Sequence, residues 1–253
     1  MPYRKSSVVL LLLLVATALG WRDAGASAYA LPELPAAALY GNLLIDRTAT
    51  AHGVKPVSFS HWTHRTRFTC RVCHTELEFD MAVGVTEVSC DDIKEGRYCG
   101  ACHDGKLAFG QQENCVYCHN GDLGFRSEEF AAFSQDLPPD EFGNQIDWSE
   151  MMRRGQVQPQ TYLREPAPEP TFDKSLKLEA AWGRIPPAVF PHKEHSQWVD
   201  CDTCHPDLFN IKQKTTEHFS MSRILKGEFC GYCHMKVAFP MNACERCHPG
   251  MSR

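Results

Sequence analysis

Six runs of one pattern, Cys-x-x-Cys-His, take up twelve of the thirteen cysteines in this 253-residue chain. They stand at Cys70/Cys73/His74, Cys99/Cys102/His103, Cys115/Cys118/His119, Cys201/Cys204/His205, Cys230/Cys233/His234 and Cys244/Cys247/His248. The odd cysteine total excludes a complete disulfide framework, and the pattern is the signature of covalent c-type haem attachment. Two thiols separated by two residues reach the two vinyl groups of one porphyrin, and the next imidazole sits under the iron. Zinc sites use paired Cys-x-x-Cys and thioredoxin-like centres use one such pair, but neither requires His directly after the second Cys. Six covalently bound haems c are expected, with His74, His103, His119, His205, His234 and His248 as proximal iron ligands.

The motifs fall into two groups related by an internal repeat, and a search for self-similarity shows its period. "VSFSHWTHRTRFTCRVCH" followed by "IKEGRYCGACHDGKLAFGQQENCVYCHNG" recurs as "AVFPHKEHSQWVDCDTCH" followed by "ILKGEFCGYCHMKVAFPMNACERCHPG". At an offset of 131 residues, His61 lies over His192, His64 over His195, Cys70 over Cys201 and Cys99 over Cys230. The expected division is residues 1–28 as signal peptide, 40–124 as the first trihaem domain, 125–170 as a Pro-rich linker or arm and 171–253 as the second. The linker holds Pro138, Pro139, Pro159, Pro166, Pro168 and Pro170, as a connecting segment should. Its Phe130, Phe133, Phe142, Ile146, Trp148, Met151 and Met152 are too apolar for a solvated tether and predict partial helix packed on a repeat or a partner.

A unit of roughly 80 residues this rich in Gly, Pro and charge has a marginal core of its own, so porphyrin is expected to fill it. Phe59, Phe68, Phe79, Phe109, Phe190, Phe209, Phe229 and Phe239 would then pack on haem faces and edges; an ordinary side-chain core is the other reading of the same residues.

Arg4 and Lys5 precede an apolar run from residue 8 that ends in small residues, with Ala26-Ser27-Ala28 as a cleavage site and a second Ala-x-Ala at 28–30. This reads as a secretory signal peptide, with an uncleaved anchor as the alternative. Lys plus Arg number 26 against 31 Asp plus Glu, so no basic footprint points to nucleic acid. Removing residues 1–28 takes away Arg4, Lys5, Arg22 and Asp23 and moves the formal charge from −5 to −7. An acidic exported carrier would meet basic patches on its partners, with association rates that fall with salt.

Six histidines lie outside the motifs: His52, His61, His64, His192, His195 and His218. Only His61, His64, His192 and His195 have counterparts in the other repeat. Each repeat resembles the trihaem cytochrome c7 unit of the cytochrome c3 superfamily, with Phe-x-His-x-x-His ahead of the first attachment site, over about 57–121 and 189–250. The resemblance implies a mainly irregular fold with short α-helices, templated by haem as tandem c7/c3-like modules. It implies His61 and His192 as distal ligands of the His74 and His205 haems, and His64 and His195 for the His103 and His234 haems. It places the third distal ligand just upstream of the second motif, where Met221 and Cys90, the thirteenth cysteine, stand nine residues before Cys230 and Cys99. Met221 is expected at the His248 haem, with His218 as rival or a core methionine as the plain reading. Cys90 is a weaker expectation at the His119 haem, with His52 as rival or an inert buried thiol as the plain reading. Met ligation raises a haem potential and thiolate lowers it.

These features imply an exported, non-enzymatic electron carrier at the periplasmic or extracellular face, peripheral to the membrane at most. Its partners would be redox proteins: a quinol-oxidising complex, other multihaem cytochromes, a terminal reductase or an outer-membrane conduit. The competing reading is a multihaem reductase for a small oxyanion or metal ion, with one open or Cys-ligated haem. A third is a structural subunit of a haem filament.

Overall fold

Each repeat opens with a two-stranded antiparallel hairpin that runs straight into a one-turn helix. In the computed structural model, which describes residues 31–112, 114–164, 172–180, 184–209 and 220–251, β1 (Asn42–Ile45) pairs with β2 (Val57–Ser60) and α2 (His61–Arg65) follows at once. A short helix, α1 (Arg47–Ala51), fills the connection. The apolar, β-branched and aromatic residues Leu43, Leu44, Ile45, Val57 and Phe59 favour the pleated pair. Ser60 Oγ donates to Asn42 Oδ1 across the strand ends at 2.6 Å. In the second repeat β3 (Ser175–Leu178) pairs with β4 (Ala188–Pro191), and α7 (His192–Ser196) begins at the equivalent residue.

Outside the stretch between the repeats, the other α-helices among the described residues are single turns wound at or beside the attachment motifs. They are α3 (Cys90–Lys94), α4 (Cys115–Cys118), α8 (Cys201–Cys204), α9 (Met221–Ile224), α10 (Gly231–His234) and α11 (Cys244–Cys247), with a π turn over Val72–Glu76 and a 3-10 turn over Tyr98–Ala101. One turn cannot repay helix nucleation, so each depends on what it packs against. The mainly irregular fold with short helices is as expected.

The stretch between the repeats contributes the two longer helices, α5 (Ser127–Ser134) and α6 (Trp148–Arg153). Phe130, Ile146, Trp148, Met151 and Val157 from this stretch bury together with Trp62 of the first repeat, and Trp198 of the second packs against them. Trp148 Nε1 donates to Asn144 Oδ1 at 3.1 Å, which satisfies the indole inside the cluster. The side-chain core therefore lies between the repeats, and Glu33–Arg253 forms one unit.

Polar contacts close the same junction. Arg71, inside the first attachment motif, pairs with Glu76, donates through Nε to Asp200 at 2.9 Å beside Cys201, and lies 4.0 Å over the Tyr162 ring. Its backbone N–H donates to Trp198 O at 3.0 Å. Buried Tyr40 donates to Ala238 O at 2.7 Å, and Arg246 pairs with Asp140 at 2.8 Å.

The expected signal peptide, the linker residues 165–170 and His218 lie outside the described residues. No helix among the described residues is long and apolar enough to cross a membrane.

Candidate haem sites

Ten histidines, the six of the motifs and the two Phe-x-His-x-x-His pairs, share one local device. In each, Nδ1 lies within hydrogen-bond distance of a backbone carbonyl. His61 meets Gly41 O at 2.7 Å, His64 meets Ser60 O at 2.9 Å, His192 meets Lys174 O at 2.8 Å and His195 meets Pro191 O at 2.9 Å. His74, His103, His205 and His234 meet the carbonyls of Phe79, Phe109, Phe209 and Phe239 at 2.7, 3.2, 2.6 and 2.9 Å. His119 and His248 reach Lys55 O at 2.9 Å and Pro186 O at 2.7 Å. A carbonyl can only accept, so Nδ1 carries the proton and Nε2 keeps its lone pair. This is the backbone contact that fixes tautomer and ring orientation in metal-bound imidazoles.

The hairpins aim the paired histidines. The backbone N–H groups of His61 and His192 also donate to Gly41 O and Lys174 O, at 3.2 and 3.3 Å, so each ring is anchored at the open end of its hairpin. Phe59 stacks on His64 with centroids 4.4 Å apart and packs edge-on to His61 at 4.9 Å. Phe190 repeats both contacts, at 4.2 Å to His195 and 4.8 Å to His192. The Phe two residues before the first His is thus a spacer that sets both rings.

The second histidine of each pair lies near a motif histidine, with the ring planes inclined by 56° and 61°. Ring centroids are 6.3 Å apart for His64 and His103, and 6.1 Å for His195 and His234. Two imidazoles bound to one metal from opposite faces, with metal–nitrogen bonds of about 2 Å and ring centres about 1.2 Å behind the nitrogens, have centroids roughly 6.4 Å apart. The two repeats present that span independently. Burial holds His61 and His234 down to about 4, and His64 and His195 below the ordinary histidine range, so these rings are neutral and able to donate to a metal at neutral pH. Burial also pushes the Cys73 and Cys233 thiols up to about 12 and Cys99 and Cys230 to about 11, which keeps them protonated in apolar slots. No three His, Cys, Asp or Glu side chains converge as a metal cluster among the described residues. The residues fit haem: paired thiols, an imidazole oriented by its carbonyl contact and, at two sites, a second carbonyl-anchored imidazole at a centroid separation that would suit a shared iron.

The second motif of each repeat carries a further steric requirement. A Cβ on Gly100 would lie 2.0 Å from Ile93 O, and one on Gly231 would lie 2.1 Å from Ile224 O. These glycines let α3 and α9 sit directly on the attachment turns. Tyr98 and Phe229, which precede the motif cysteines, take φ of 49° and 52°. Positive φ is costly for a bulky side chain, and its recurrence marks a bend that feeds the chain into the motif.

Cys90 and Met221 occupy the first positions of α3 and α9, Cys90 exposed and Met221 half-buried. No hydrogen bond joins Cys90 to His119 among the described residues. His52, the residue after α1, is exposed. Sequence reasoning passed over the carbonyls of Lys55 and Pro186, which nothing in residue type marks, and over Gly100 and Gly231, which recur at the repeat offset within the motifs and were a readable signal.

The family model described as cytochrome c7 and related cytochrome c matches residues 57–120 and again 188–249. The chain belongs to this family. As a c7-type cytochrome it is a multihaem electron-transfer protein that binds its haems c covalently. Two solved structures align with it. The C-terminal hexaheme fragment of GSU1996 is 26% identical over 82% of this chain and 96% of its own, with a TM-score of 0.28. The N-terminal hexaheme fragment of GSU1996 is 24% identical over 83% and 99%, with a TM-score of 0.27. No curated protein matches.

Proposed function

We propose that this cytochrome is an exported carrier that passes single electrons between redox proteins through six haems, three in residues 40–124 and three in 171–253. The haems attach at the twelve motif cysteines, with the six motif histidines as proximal ligands. His64 and His195 are the distal ligands of the His103 and His234 haems, and His61 and His192 those of the His74 and His205 haems. Met221 completes the His248 haem and Cys90 the His119 haem. The observation that carries this reading is the pair of carbonyl-anchored imidazoles at nearly the same centroid separation in both repeats. When bound, haem supplies the one-electron chemistry. The motif cysteines would attach it, and the carbonyl-anchored histidines would hold their imidazoles ready to ligate the iron in either oxidation state.

The partners fit the acidic mature chain: a quinol-oxidising complex on the donor side, and other multihaem cytochromes or a terminal reductase beyond. The test is intact mass and haem count of protein matured in a competent host, followed by low-temperature electron paramagnetic resonance. Six haems, four giving low-spin bis-His signals of which two change in H64M and H195M, with one His/Met and one His/thiolate signal, support the assignment. A bare-polypeptide mass overturns it. Rapid carbon monoxide binding at one reduced haem, abolished with its motif, would instead favour the reductase reading.

A further inference from the structure

Arg65 is a buried cation with an unusual housing. It closes α2, directly after His64, and its guanidinium lies 4.2 Å from the Trp148 ring centre and 4.8 Å from that of Trp198, one indole from the inter-repeat stretch and one from the second repeat. Its Nη1 donates to Val237 O at 3.1 Å, and its buried Nε has no hydrogen-bond acceptor among the described residues. Val237 N in turn donates to Cys233 O at 2.9 Å, so the arginine reaches from the first repeat onto the turn that carries an attachment site of the second. The Cys70 and Cys233 sulfurs and Tyr40 lie near enough to couple electrostatically to it, and Cys70 couples likewise to Cys233, although burial keeps both thiols protonated and neutral. Cys70 and Cys233 belong to different repeats, so their attachment sites meet here around one positive charge. The residue at the matching position of the second repeat is Ser196, so this charge has no symmetry mate.

We infer that Arg65 is the fixed charge that raises the reduction potentials of the two haems meeting at the junction, those of Cys70/His74 and Cys233/His234, and so makes this pair the crossing point for electrons between the repeats. The inference rests on the haem assignment above. An added electron lowers the charge at an iron, so a cation nearby favours the reduced form of both. In a low-dielectric cage of indoles that effect is only weakly screened by salt. One electron crosses per event, oxidising one iron as it reduces the other, and no bond or proton is exchanged. Arginine suits the position because its planar, permanently charged group stacks between two aromatic faces as lysine cannot.

The test uses R65Q and R65K holoprotein, each first shown by intact mass to carry its full haem complement, so a failure of the haem assignment is recognised separately. Potentials of individual haems are followed by nuclear magnetic resonance during reductive titration. In R65Q the reduction equilibria of the two junction haems should each fall at least tenfold, 59 mV for one electron, while the other four move much less; R65K should recover most of the loss. Equal shifts at all six haems, or unchanged potentials in a folded R65Q, would overturn the inference. If neither variant matures, the native protein still decides. The two junction haems should show the strongest redox interaction between repeats, with potentials insensitive to ionic strength, and a stronger interaction between any other inter-repeat pair would overturn it.

Discussion

At the scale of single residues, the glycines within the second motifs are the most constrained positions. Gly100→Ala and Gly231→Ala would each drive a methyl into a backbone carbonyl, Ile93 O or Ile224 O, that no rotamer can move. Each is expected to destabilise the holoprotein by about 3 kcal/mol, read by guanidinium unfolding, or to stop maturation at that motif. Gly110→Ala, whose Cβ would come no closer than 3.5 Å to Gly105, is expected to change stability by less than about 0.5 kcal/mol. The buried histidines make a second prediction. Burial holds His61 and His234 near 4, below the 6.5 of an exposed imidazole, so between those values the unfolded chain binds more protons than the folded one. Stability is complete at neutral pH and declines as pH falls through that window, while the folded rings stay neutral until about pH 4. An absorbance titration should keep the low-spin spectrum of these haems until about pH 4. A transition near 6.5 would mean the rings are accessible to solvent.

At the scale of elements, the hairpins and one-turn helices are scaffolding for imidazoles, while α5 and α6 hold the repeats together. The prolines of 125–170 mark a connecting segment, and its apolar residues, too many for a solvated tether, join the side-chain core between the repeats. Proline fixes φ and ends helices, but it does not prevent the stretches between prolines from burying apolar faces. Met151, 1% exposed, is the centre of that cluster. Met151→Ala is expected to cost about 2–5 kcal/mol through the cavity it leaves, measured by thermal or denaturant unfolding, with the two repeats losing cooperativity. Asp200→Ala removes one partner of Arg71, whose side chain is 13% exposed, and is expected to cost about 2 kcal/mol. Protease nicking after Arg153 or Arg154, both exposed, would report the loosened junction.

At the scale of the whole molecule, the protein is a quasi-repeat with deliberate differences. Cys90 stands where the second repeat has Met221, and Arg65 where it has Ser196. With these positions unequal, and with Cys90 and Met221 as the proposed ligands, a redox titration should spread the six haems over distinct potentials rather than giving two superimposed sets of three. The excess of Asp and Glu over Lys and Arg predicts that electron exchange with a basic partner slows as ionic strength rises, by stopped-flow measurement. A rate independent of salt would point to an apolar docking face.

The attachment motifs, the repeat and the His-x-x-His pairs were legible from the chain alone because they are local: thioether and iron bonds demand fixed residue types at fixed spacing. Phe59 and Phe190, read from the chain as packing on haem, owe their spacer role to ring contacts that only the folded hairpins show. What the linear order could not contain was the meeting of Arg65, Trp148, Trp198 and Cys233, or the carbonyls of Lys55 and Pro186 under His119 and His248. Those contacts join residues far apart in sequence, and backbone carbonyls carry no residue identity, so only the folded chain selects which of them an imidazole will find.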